Sequence, residues 1–173
     1  MDRHREMVEI VEGCLKNDDF QVIVAPHARK KPYKPMDNEI YLYDRRHDNE
    51  GCELSKADIA IPNNNKSMKL IIEVEAGNVP VPKMLIGTIE VTNYAQICYI
   101  GPVKNQEVYK IDKDNTVLLI ILDDQSNIGE DKKRQINWIE KEYKFKPRSI
   151  KAFKICFLRD FKKINRGDLA KHT

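Results

Sequence analysis

The chain has 173 residues, enough for one domain of ordinary size with little room for a second. With 41% hydrophobic and 33% charged residues, 7 Gly and 8 Pro, it can bury a core, which excludes wholesale disorder and collagen-like structure. The formal charge of +3 is unevenly spread: residues 1–140 hold 19 Lys/Arg against 24 Asp/Glu, and residues 141–173 hold 11 against 3.

That basic C-terminal segment suits either a polyanionic partner or a solvated tail. The longest mainly apolar run, Thr116 to Leu122, falls far short of the ~20 residues of a spanning helix. Met1-Asp2-Arg3-His4-Arg5-Glu6 lacks the apolar stretch of a secretion signal, and Cys14, Cys52, Cys98 and Cys156 form no C-x-x-C pair. The expectation is a soluble cytoplasmic protein with reduced thiols and no membrane partner.

Met7, Val8, Val11, Cys14 and Leu15 recur at helical spacing, so a helix is predicted over Met7 to Lys16, with Glu9 off its apolar stripe. A strand follows at Phe20 to Val24 and ends at Ala25-Pro26. Arg29-Lys30-Lys31-Pro32-Tyr33-Lys34-Pro35 has the composition of an exposed loop, open to a phosphate backbone or merely solvated. A short strand is expected at Glu39 to Tyr43 and a polar turn from Asp44 to Glu50.

Two stronger strands are predicted at Leu54 to Ile61 and Lys69 to Ala76, joined as an antiparallel hairpin through the turn-rich Pro62 to Lys66. Ala57, Ile59 and Ile61 would then share one face. A helix over Lys83 to Ala95 turns Leu85, Ile89 and Tyr94 inward, and a strand is expected at Ile97 to Ile100. Val117 to Leu122, unbroken and aliphatic, reads as a strand buried on both faces. A helix over Asp131 to Tyr143 and a strand over Ile150 to Leu158 complete an α/β domain with a mixed sheet at 1–158, followed by a basic tail at 159–173.

The chemistry is concentrated in Lys56-Ala57-Asp58 and Glu73-Val74-Glu75. Two apart on an apolar strand, Glu73 and Glu75 project from one face while Leu70, Ile72 and Val74 fill the other. Such a pair can simply be the wet face of an edge strand. Asp58 beside it would bring three carboxylates together, which is costly unless protons or a cation compensate. A hard divalent ion such as Mg²⁺ does so through one or two carboxylates, water and phosphate oxygens. His27 and His47 have no partner at a diagnostic spacing and read as loop histidines, and no P-loop, G-x-S-x-G or G-x-G-x-x-G occurs.

The order helix, strand, strand with Asp, turn, strand with acid-x-acid, helix resembles the PD-(D/E)xK nuclease superfamily. The opening Val8-Glu9 through Phe20-Gln21-Val22-Ile23-Val24-Ala25-Pro26 is similar to the start of archaeal Holliday-junction resolvases. The resemblance spans roughly residues 5–100. It implies a single-domain restriction endonuclease-like fold: a mixed central sheet flanked by helices. It also implies Glu9, Asp58, Glu73 and Glu75 as ligands of Mg²⁺ or Mn²⁺, and phosphodiester hydrolysis in duplex or branched DNA.

Ala57 stands where the motif has proline, and Glu75 where most members have the lysine that serves the attacking water. Glu75 itself, Lys56 or Lys83 would then take that role. Arg29, Lys30, Lys31, Lys34, Lys132, Lys133 and Arg134 are the expected DNA contacts, and cutting both strands calls for a homodimer. The alternative is a silent nucleic-acid-binding or protein-interaction domain on the same fold.

Overall fold

A computed structural model describes residues 2–16, 21–28, 39–46, 50–77, 82–102, 105–124 and 128–163. In chain order its elements are α1 (Arg3–Leu15), β1 (Ile23–Val24), a 3₁₀ turn (Pro26–Ala28), β2 (Ile40–Tyr43), β3 (Glu53–Lys56), β4 (Ile59–Pro62), β5 (Met68–Glu75) and α2 (Pro82–Tyr94). β6 (Ile97–Ile100), β7 (Glu107–Lys110), β8 (Val117–Leu122), α3 (Glu130–Glu142), β9 (Ala152–Phe157) and α4 (Leu158–Phe161) follow.

Five strands make a mixed sheet in the order β1-β4-β5-β8-β9. β1, β4 and β5 run antiparallel to one another, and β8 and β9 are added parallel to β5. β8 lies between two parallel partners, and all six of its residues are buried, as an unbroken aliphatic strand should be. The remaining strands form a second, antiparallel sheet in the order β3-β2-β6-β7.

Each face of the mixed sheet has its own core. Met7, Val8, Val11 and Leu15 of α1, with Leu158 and Phe161 of α4, cover Ile59, Ile61, Leu70, Ile72, Val74, Leu119 and Ile121. On the opposite face Ile71, Leu118 and Ile120 join Leu85 and Ile89 of α2, Ile136 and Ile139 of α3, and Ile40, Leu42, Cys98 and Ile100 of the second sheet. Burial of these side chains drives the layering. Among the described residues, no helix is long and apolar enough to cross a membrane.

Four expectations need correction. The predicted strand over Leu54 to Ile61 is two strands in two sheets. Ala57 donates its N–H to the Ile40 carbonyl in the second sheet (3.1 Å), while the next carbonyl, of Asp58, accepts from Ala25 beside the first (2.8 Å). Ala57 therefore packs in a different core from Ile59 and Ile61. β7, too short and polar for its periodicity to be read, was not anticipated. Tyr94 is half exposed rather than inward, because Thr92 and Asn93 take the buried places at the end of α2. Finally, α4 carries the packed structure past Leu158, with Phe161 only 3% exposed; residues 164–173 lie outside the described residues.

Ile120→Ala, in the middle of β8, removes a side chain with no exposed surface and no room to collapse. Urea unfolding is expected to show a loss of about 2–5 kcal/mol.

Candidate functional site

Glu73 and Glu75 lie in the last three residues of β5, on the face that Ile71 continues, and both are half-buried. Leu70, Ile72 and Val74 alternate with them and are buried on the α1 face. Because β4 runs antiparallel to β5, the residue just before β4 arrives at the C-terminal end of β5. That residue is Asp58, and Val74 donates its backbone N–H to Asp58 Oδ2 at 2.8 Å. The aspartate is thus held beside the residue that separates the two glutamates. Two residues after Glu75, Gly77 takes a φ of +89°, a region that favours glycine, and the chain leaves the strand.

Two imidazoles complete the Asp58 environment. His4 Nε2 lies 3.2 Å from Oδ2 and His27 Nε2 lies 3.2 Å from Oδ1. Behind His27, the Nδ1 atom is 2.9 Å from the buried carboxylate of Glu39, so a Glu39–His27–Asp58–His4 chain crosses from the start of β2 to the first turn of α1. The first turn of α1 is fixed by its own residues. Asp2 caps the helix by accepting from the His4 backbone N–H (3.2 Å). Arg3 makes a two-pronged contact to buried Asp123, 3.0 Å from Nε and 2.8 Å from Nη2. Asp123 follows β8 directly and donates its backbone N–H to the Glu75 carbonyl (3.1 Å), so Arg3 locks the N-terminus of α1 to the carboxylate end of the sheet.

These contacts set the proton affinities. Burial is the largest influence on Asp58 and would raise its pKa, but the hydrogen bonds from His27 and His4, His4's charge and the Val74 amide together hold it down to about 2. The hydrogen bond to Asp58 raises both His4 and His27, against the opposing effect of burial. Glu73 is raised well above the usual carboxylate range by burial, then by the charges of Asp58 and Glu75, with the Asp58 amide opposing. Glu75 is raised by burial and by Asp58, with His4 opposing.

The expected residues divide sharply. Asp58, Glu73 and Glu75 come together. Glu9 does not join them: it is exposed, and the position of α1 that faces the site is His4, on the same stripe as Met7, Val8 and Val11. Lys56 belongs to β3 in the second sheet, exposed with Nζ 4.9 Å above the Tyr41 ring, because the chain changes sheets between it and Asp58. Lys83 is exposed on the first turn of α2. On α3, Lys132 is half-buried, and Lys133 and Arg134 pair with Glu130 and Asp131 one turn back. Arg29, Lys30, Lys31, Lys34 and His47 lie outside the described residues.

Sequence reasoning missed His4, His27 and Glu39. The signal for His4 was present, since it lies three and four residues before Met7 and Val8 on the buried stripe. His27 gave none, because its partners come from two other elements.

Does this donor set fit Mg²⁺? Glu73 and Glu75 make no ion pair among the described residues, and burial first, then neighbouring negative charge, raises their proton affinity. Among the described residues no group of three or more His, Cys, Asp or Glu side chains is arranged to hold a metal ion. Mg²⁺ usually takes one or two carboxylates and keeps water and substrate phosphate for the rest. Glu73, Glu75 and Asp58 are the carboxylates gathered at this place, with both Asp58 oxygens in contact with imidazoles.

The pKa directions fix a pH dependence. Stabilisation from His4 and His27 is complete below their ordinary value of 6.5 and is lost as pH rises through their higher folded values. Glu73 acts with the same sign, as its ionisation above 4.5 is resisted only in the folded state. Asp58 stabilises above 3.8 and loses that contribution towards about 2. Melting temperature, followed by circular dichroism in EDTA, is expected to fall from pH 6 to pH 9, and Glu73→Gln is expected to raise it at pH 8. In comparison with known proteins, no family model, no curated protein and no solved structure matches the chain.

Proposed function

We propose that the chain is a Mg²⁺- or Mn²⁺-dependent DNA endonuclease of the PD-(D/E)xK type, hydrolysing phosphodiester bonds in duplex or branched DNA as a homodimer. The observation that carries the reading is the 2.8 Å bond from the Val74 amide to Asp58, which sets an aspartate ahead of one strand against an acid-x-acid pair on the next. The surrounding order supports it: a helix, a three-strand antiparallel meander, a helix, then a parallel strand, in α1, β1, β4, β5, α2 and β8, with the second sheet's strands inserted between them.

When bound, the divalent ion would acidify a water and neutralise charge on the phosphoryl oxygens. Asp58, Glu73 and Glu75 would hold it. With Lys56 in the second sheet, Glu75 would accept the water's proton, and its raised pKa suits a base. His4 and His27 hold the Asp58 carboxylate in one orientation, Glu39 fixes the ring of His27, and Arg3 keeps His4 over the strand ends.

One observation favours the silent alternative: both Asp58 oxygens are already engaged by imidazoles. Cleavage decides between them. With plasmid, single-stranded and four-way-junction DNA, Mg²⁺- or Mn²⁺-dependent cutting is expected, abolished by EDTA and lowered roughly 10²–10⁴-fold in Glu75→Gln. Asp58→Ala is expected to be inactive. DNA binding with no cleavage under any of these conditions would overturn the nuclease and leave the binding domain.

A further inference from the structure

At the opposite end of the mixed sheet, the segments leading into β8 and β9 meet the start of β6 and the end of β7 around a cleft of about 630 Å³. Its wall carries Arg46, Lys66, Lys110, Lys113 and Arg148 against two acids, Asp112 and Asp114. Lys66 is paired with Glu107 at 2.8 Å, but no ion pair engages Arg46, Lys110, Lys113 or Arg148 among the described residues. The β5–β8 register from Leu70 and Val117 to Glu75 and Leu122 separates the cleft from the carboxylates by ~17 Å at ~3.3 Å per residue. The two ends of the sheet therefore carry opposite charge.

One side of the cleft is rigidly built. The buried side chain of Asn93 donates to the Lys146 carbonyl (2.9 Å) and accepts from the backbone N–H groups of Arg148 (2.9 Å) and Ser149 (3.3 Å). These bonds hold the backbone at Arg148, whose guanidinium lies 4.3 Å from the ring centroid of the half-exposed Tyr94. A guanidinium lying on an aromatic ring offers its outer plane to a nucleobase, while the neighbouring cations face the phosphates on either side of it.

We propose that this cleft binds a single nucleic-acid strand, with successive phosphates on Arg46, Lys110 and Lys113 and a base against the Arg148–Tyr94 stack. A flat face beside a row of cations selects a polynucleotide over an acidic peptide, which has nothing to stack. The site stands on the cleft's own residues and does not require the carboxylate end to cut.

The test is fluorescence anisotropy of the full chain with a labelled oligothymidylate of about 20 nucleotides, in EDTA so that no cleavage intervenes. Salt is varied, and sodium tripolyphosphate serves as competitor. The exposed pair Lys110→Glu/Lys113→Glu is expected to weaken binding about tenfold or more and to flatten the log–log salt slope by about 1.4, two contacts at ~0.7 each. Arg148→Ala is expected to weaken binding with a smaller change of slope, and Arg46→Glu serves in place of the double variant if thermal melting shows that one unfolded. Unchanged affinity and slope in the cleft variants would overturn the proposal. So would tripolyphosphate binding that the variants abolish, in a protein that does not hold the oligonucleotide.

Discussion

A carboxylate withdrawn from water must be given donors, and in this molecule that requirement is met for Asp58 by three separate elements. Val74 supplies a backbone amide from β5, His4 an imidazole from α1, and His27 another from the turn after β1. Removing any one of them leaves a buried charge short of a partner, which is among the more expensive faults a core can carry. The position of α1 on the sheet, the close of the β1–β4 edge and the approach of β4 to β5 are all tied to one side chain. The second sheet enters the same knot, since Glu39 ahead of β2 holds the far side of His27.

The site is a negative cluster trimmed by positive groups brought in from the N-terminal turn of α1. Arg3 answers Asp123, and its proton is held more tightly by that contact. His4 answers Asp58 and also tempers Glu75. The helix N-terminus adds its own partial positive charge. Glu73 and Glu75 remain in excess, and their burial together with that negative charge raises their affinity for protons. This pair sits at the end of the central strand, half-buried and without an ion pair among the described residues.

Much of this was readable in one dimension, and the boundary is physical. The E-x-E pair and its apolar neighbours follow the two-residue period of a strand, so the shared face of Glu73 and Glu75 could be read from sequence alone. β8 announced itself by its unbroken aliphatic run, as did the buried stripe of α1. What failed needed contacts between distant positions. The change of sheet at Ala57 depends on Ile40 and Ala25, neither of which is near it in sequence. His27 looked like an idle loop residue because its meaning comes from Glu39 and Asp58. Glu9 was chosen by likeness of order, but the phase of the helix set by Met7, Val8 and Val11 turns it to solvent and leaves His4 facing the site.

Arg3 and Asp123 are 120 positions apart, and the strand that precedes Asp123 is flanked by β5 and β9. During synthesis α1 emerges ahead of the other elements, and Arg3 has only Glu6 of its own helix, 3.0 Å away, until most of the chain has followed. The β1, β4 and β5 meander can close earlier, and it already sets Asp58 beside the two glutamates. The residue that follows β8, Asp123, takes Arg3 on its side chain and gives its amide to the Glu75 carbonyl. An incomplete product ending before β8 therefore has the three carboxylates side by side but lacks the contact that ties α1 to them.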